Sequence, residues 1–458
     1  MLFNSYEFMF LFLPMTFAGF FFLGHKGKNE WATLWLVLAS FFFYGYWDVR
    51  YVPLLFGSIC FNYLVGRQLE INNGHKEWLL FGIVINVLLL GYFKYTDFFL
   101  STVNDVAGAN LFDLPHIVLP LGISFFTFTQ TAYLVDAYRG EAKNQSFLTY
   151  CEFVTIFPHL IAGPIINHKE MIPQFVADKT FRINYENIAL GLTIFTFGLF
   201  KKVVIADKLA IYANEAFSHA DSIDCVEAWI GALSYTMQLY FDFSGYSEMA
   251  IGLALLFNLE MPVNFNSPYQ ARSIIDFWRR WHMTLGLWVK NYLYIPMGGN
   301  RRGEFKKMRN LFVSMLIIGL WHGAGWTFII WGGLHGMLLM VNHAWRKTGI
   351  NLPKVLNWGM TFLCVVICWV FFRAASVNEA ILVLGGMFDV QNIGSHGLER
   401  LAGLSVAVAV LTVVPNPLVI VKKFTADNRW LLLVCLLFLI SLYHIGVKGT
   451  GEFLYFQF

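Results

Sequence analysis

Of the chain's 458 residues, 57% are hydrophobic and only 13% charged, about half the charged share of an ordinary soluble domain. That balance excludes a soluble globular enzyme, and a net charge of +3 is too small to point to nucleic acid. Apolar runs near the length that crosses about 30 Å of hydrocarbon recur along the chain without the alternation of barrel strands, so the sequence predicts an all-α polytopic membrane bundle.

The first stretch, MLFNSYEFMFLFLPMTFAGFFFLG, has no basic leading region, carries Glu7 and lacks a small-residue cleavage site. It reads as a first span and not as a signal peptide. Spans are expected near 7–24, 31–46, 51–66, 78–95, 115–136, 147–165, 184–204, 226–257, 309–320, 325–344, 355–373, 399–421 and 430–447. The connections are short except for 166–183 and a polar insert, 258–308. The whole chain, 1–458, is expected to form one integral membrane domain, with 115–345 as the core that carries its motifs. RRGEFKKMR, 301–309, is the densest basic cluster and places that loop in the cytoplasm. Lys201 and Lys202, at the end of a span, read as topology charges and suit an outside N-terminus. The six cysteines show no metal or redox spacing and read as buried small residues, with no disulfide.

Polar residues inside apolar context mark the candidate site. Tyr240, Asp242 and Ser244 interrupt the span 226–257. A carboxylate at membrane depth costs at least about 2.5 kcal/mol, so Asp242 needs a partner, and Arg279 or Arg280 are the nearest in sequence. A structural ion pair between two helices and a catalytic role are both open for it. Residues 271–300, ARSIIDFWRRWHMTLGLWVKNYLYIPMGGN, place Trp278, Trp281, Leu285 and Trp288 at helical spacing, which predicts an amphipathic helix with His282 on its polar face beside Arg279. Asp276 stands four residues before Arg280, suited to a local ion pair. An interfacial helix explains the same tryptophans and arginines without chemistry.

GLWHGAGW, 319–326, sets His322 among three glycines and two tryptophans. A lone histidine in an apolar helix is most often hydrogen-bonded within the bundle. Here Gly319, Gly323 and Gly325 remove side chains around the imidazole, which lets another backbone or an extended substrate approach. An imidazole in such a cavity is suited to taking a proton from a hydroxyl as that hydroxyl attacks a carbonyl. A second imidazole, His282, with Arg279 or Arg280 beside it, would orient the donor or stabilise developing negative charge. His335, in WGGLHG, reads as structural. No G-x-S-x-G elbow, HExxH or C-x-x-C is present, so a serine nucleophile and a metal are both disfavoured.

FDFSGYSEMAIGLALLF, FWRRWHMTLGLWVKNYLYIPMGGNRRG and GLWHGAGWTFIIWGGLHG together resemble the membrane-bound O-acyltransferase family, and within it the alginate O-acetyltransferase-like branch. PLGISFFTFTQTAYLVDAYRG, FPHLIAGPIINHKEMIPQF and the closing FLYFQF look like the same branch. The resemblance implies a multi-helix bundle around a buried tunnel, with re-entrant and interfacial helices, a cytoplasmic thioester donor and a hydroxyl acceptor from the other face. It makes His322 the catalytic histidine and His282 the second active-site position, with Asp242, Ser244, Arg279, Arg280, Asn291 and Trp321 as lining. It also implies acetyl-CoA as the donor substrate with no bound cofactor, a polysaccharide acceptor, a periplasmic hydrolase-like partner and an inner-membrane location. The sibling branch, which D-alanylates teichoic acids from a carrier-protein thioester, is the nearest alternative. A polysaccharide or small-solute transporter is another, and the absence of internal repeats stands against it. A scaffold that anchors a separate soluble transferase is the third.

Overall fold

The structure is a computed structural model that describes residues 1–71, 75–301, 303–394, 397–414, 416, 427–449, 451 and 453–454. The end of the expected 399–421 span, Arg302 of the basic loop and most of FLYFQF lie outside them. Among the described residues every regular element is helical. Six helices among the described residues are both long and apolar enough to cross a membrane: Phe8–His25, Val49–Ile71, Lys76–Ala107, Tyr185–Ser218, Lys354–Arg373 and Asn428–Val447. The runs expected at 226–257, 309–320 and 325–344 are also helical, as Cys225–Leu256, Glu304–His322 and Trp326–Trp345. Their tryptophans, glycines, acids and basic residues leave them below those six in apolar character or above them in charge.

The chain's contacts gather into two compact units. One comprises Met1–Leu199, Tyr246–Pro262 and Thr425–Phe456. Its core is aromatic: Phe8, Phe43, Phe157 and Phe257 are all buried, with ring centroids 5.7–6.0 Å apart where they meet. Two buried polar contacts there tie separate segments together, as burial in a low-dielectric interior favours. Asn62 and Asn86 join two helices through reciprocal amide bonds of 3.2 and 2.7 Å. The FPHLIAGP turn is pinned by His159, whose Nδ1 lies 2.8 Å from the Pro164 carbonyl and whose Nε2 lies 3.1 Å from Thr129 Oγ1.

The other unit comprises Phe200–Gly245, Val263–Phe424 and Gln457–Phe458. Its centre is the helical hairpin Glu304–His322 and Trp326–Trp345. The two helices pack closely because glycine faces glycine. A Cβ on Gly332 would meet the Met315 carbonyl and come within 3.2 Å of Gly319 Cα, and one on Gly319 would meet the Phe328 carbonyl. At the open end, Lys347 Nζ lies 3.1 Å from Glu304 Oε2, so the hairpin begins and ends together. At the closed end, Gly323 and Gly325 are extended and cap the turn that follows His322.

Lys201 and Lys202 do not end a span. They open a wide π-turn, Lys201–Ala206, inside the continuous helical run Tyr185–Ser218, and both are buried. They are therefore interior charges and carry no loop-charge information about topology.

Candidate active site

The polar insert is not one amphipathic helix. Ser273 caps a short helix, Ile274–Trp278, by accepting from the Asp276 amide, and Arg280 Nε donates to Asp276 Oδ1 at 2.9 Å, the local ion pair that the spacing predicts. The helical path then breaks. His282 adopts φ 42° and ψ 56°, a left-handed conformation uncommon outside glycine, before the chain resumes as Met283–Val289 and a π-turn, Lys290–Tyr294. Two backbone bonds hold the break: Asn266 N donates to Arg280 O and Met283 N donates to Asn264 O, both at 2.9 Å. Strained backbone that its surroundings overdetermine is typical of a functional position.

This kink drives the His282 side chain into the core, where its exposure is 0%. Its Nδ1 lies 3.0 Å from Asn264 Oδ1, which also accepts from the Thr284 hydroxyl at 2.9 Å and the Thr284 amide at 3.3 Å. Phe243 meets the ring edge-on at 4.8 Å, and Trp321 lies 6.2 Å away. Complete burial lowers His282 to about 3, so the imidazole is neutral. Arg279, in contrast, is exposed, and Arg280 is held by Asp276, so neither arginine is engaged with this imidazole as the sequence suggested.

His322 is the last residue of its helix and is buried. Three rings enclose it: Trp321 at 4.8 Å, Trp331 edge-on at 5.1 Å and Phe372 at 5.2 Å. Trp321 thus lies against both histidines, and their separation is no greater than the sum of its distances to each. Trp331 also contacts His335, 4.8 Å away, which is fully buried and stacked on Phe277 at 6.1 Å. Trp278 Nε1 donates to His335 Nδ1 at 3.2 Å. The structure therefore brings His282, Trp321 and His322 into one aromatic-walled cluster.

The remaining candidates divide. Asp242 is buried, and its partner is Lys202, whose Nζ lies 2.5 Å from Oδ1, and not Arg279 or Arg280. Lys202 also reaches Asp207 at 2.9 Å. Ser244 is buried on the same helix, and its Oγ meets no hydrogen-bond partner among the described residues. Asn291 is half-buried in the π-turn after the second short helix. The space at two of the three glycines around His322 is filled by protein: a Cβ on Gly319 would meet the Phe328 carbonyl and one on Gly323 the Phe328 ring, whereas at Gly325 the nearest atom is 3.6 Å away.

A model of the membrane-bound O-acyltransferase family matches residues 9–377. The chain belongs to that family. It is 45% identical to a peptidoglycan O-acetyltransferase of Helicobacter pylori, over 100% of this chain and 98% of the relative. It is 39% identical to a Pseudomonas putida protein named as probable alginate O-acetylase, with both chains covered in full. A teichoic acid D-alanyltransferase of Bacillus subtilis is 29% identical over 56% of this chain and 68% of its own. The chain is accordingly a membrane-embedded O-acetyltransferase.

Not legible from the sequence alone were Asn264, which contacts His282, and Lys202, which pairs with Asp242. Asn264 lies in NFNSPY, directly after the acid-bearing span, and only the left-handed turn at His282 brings it under that imidazole. The structure also holds a cavity of about 1050 Å³ between Tyr212, Glu215, His219, Glu227, Glu399 and Arg400, and none of the candidate site residues lines it.

Proposed function

We propose that this acetyltransferase takes its acetyl group from acetyl-CoA on the cytoplasmic side of the bacterial inner membrane and delivers it for O-acetylation of an extracellular or periplasmic polysaccharide. A periplasmic hydrolase-like protein completing the transfer belongs to the same proposal. The observation that carries it is the pair of buried imidazoles, His282 and His322, that share Trp321 as a neighbour in a chain of this family.

In this reading His322 is the general base. The acceptor hydroxyl oxygen attacks the thioester carbonyl carbon while His322 takes the hydroxyl proton; the C–S bond breaks, and the imidazolium returns the proton to the leaving thiolate. The aromatic walls exclude water, which would otherwise hydrolyse the thioester. Acetyl transfer is favoured over D-alanyl transfer because relatives named for acetylation cover the whole chain, whereas the D-alanyltransferase match covers about half.

The test compares wild type with His322→Ala in cells. Mass spectrometry of the native polysaccharide should show acetylation lost, while the thermal midpoint of the purified variant stays within a few degrees of wild type. Normal acetylation in a folded His322→Ala protein would sink the proposal.

A further inference from the structure

Two fully buried histidines of one unit are held in opposite protonation patterns. At His282, the Thr284 amide and hydroxyl both point at the Asn264 side chain, 3.3 and 2.9 Å from the same atom. An amide N–H has no lone pair to give, so the atom facing it is the carbonyl oxygen and not the NH₂ group. That oxygen, 3.0 Å from His282 Nδ1, accepts, and Nδ1 must therefore carry the hydrogen. Nε2 is left with its lone pair. At His335 the pattern is reversed: the Trp278 indole N–H only donates, so Nδ1 is bare and the hydrogen sits on Nε2.

We infer that Asn264 is a positioning residue that locks His282 in the Nδ1-protonated form, so that Nε2 accepts a hydrogen bond from a hydroxyl of the acceptor bound in this site. The identity of that hydroxyl rests on the acetyl-transfer reading; the tautomer rests on geometry alone. The inference changes the role that the sequence suggested for the second imidazole. A neutral ring that presents a lone pair repels an oxyanion, and Phe243, Phe265, Trp321, Asn264 and Thr284, which lie against it, bring no positive charge. His282 binds and orients; it does not stabilise the developing charge. The lock is built to last, since the backbone on both sides of His282 is bonded to the Asn264–Asn266 segment.

Two measurements on the full-length protein in nanodiscs decide it. The first is ¹⁵N spectroscopy of histidine-labelled protein, with the His282 signals assigned by their loss in His282→Ala. The expected result is a hydrogen on Nδ1 and an unprotonated Nε2; the opposite tautomer overturns the inference. The second measures transfer from labelled acetyl-CoA to endogenous polysaccharide in membrane vesicles. Asn264→Leu, similar in shape but with no acceptor, should lower kcat at least tenfold and leave the KM for acetyl-CoA within twofold of wild type. Asn264→Asp keeps the oxygen and places a carboxylate beside the ring. It favours imidazolium, so activity should persist at alkaline pH and fall as pH drops, through an acid limb at least one unit above that of wild type. If Asn264→Leu does not fold, Asn264→Asp carries the test. Wild-type rates and pH profiles in both folded variants would refute the inference. If wild-type vesicles transfer no acetyl group, the acetyl-transfer reading fails, and the spectroscopic measurement still decides the tautomer.

Discussion

A lysine at membrane depth is tolerated only when its charge is answered, and Lys202 is answered twice, by Asp242 at 2.5 Å and Asp207 at 2.9 Å. Removing one member of a buried pair leaves the other charge unmatched, which costs about 3–5 kcal/mol, whereas removing both together is far milder. Lys202→Met should therefore lower the thermal midpoint of the detergent-purified protein more than the double variant Lys202→Met with Asp242→Asn does. Midpoints that simply add across the two substitutions would show that the charges do not depend on each other. The need for a partner was legible in the sequence, since a carboxylate in an apolar run demands one. Its identity was not: the partner lies 40 residues upstream, and a double lysine at the end of an apolar run looks like a loop charge. Only the wide turn at Lys201–Ala206 turns it inward.

At the scale of elements, the positions of most helices follow from the apolar runs, because unsatisfied backbone cannot face lipid. What the periodicity hid is the break at His282. Trp278, Trp281 and Leu285 keep helical spacing across a backbone that is not helical between them, and Trp281 and Leu285 are both buried even so. Long-range backbone bonds from the Asn264–Asn266 segment override local preference there. The hairpin that carries His322 depends on a second local feature, the glycine pair at its crossing. Gly332→Ala would push a methyl group into the Met315 carbonyl, whereas Gly333→Ala would meet only Leu316 Cδ2 at an ordinary 3.6 Å. Overpacking of this kind costs about 1–3 kcal/mol. Gly332→Ala should thus lower both the thermal midpoint and acetyl transfer, and Gly333→Ala, which adds helix propensity, should leave both near wild type. Equal behaviour of the two neighbours would mean that the crossing tolerates separation.

For the molecule as a whole, the family motifs made the fold and the class of reaction, O-acetyl transfer, legible, but orientation rests on charge. With Lys201 and Lys202 buried, the densest group of basic residues that remains informative is the one around the ends of the hairpin: Arg301, Lys306, Lys307, Arg309, Arg346 and Lys347. They come from both arms, and the Glu304–Lys347 contact ties the arms together, so both ends must share one side of the bilayer. An excess of Lys and Arg in short connections marks the cytoplasmic side. Single cysteines at Phe305, which is 83% exposed, and at Thr348, also exposed, test this directly. Both should resist a membrane-impermeant thiol reagent in intact spheroplasts and react in inverted vesicles, above the background of the native cysteines. Labelling of both from outside would reverse the orientation and put the donor on the wrong face. Labelling of one from each side would mean that the two arms do not turn back on each other, and the enclosure of His322 at the hairpin's closed end would fall with that result.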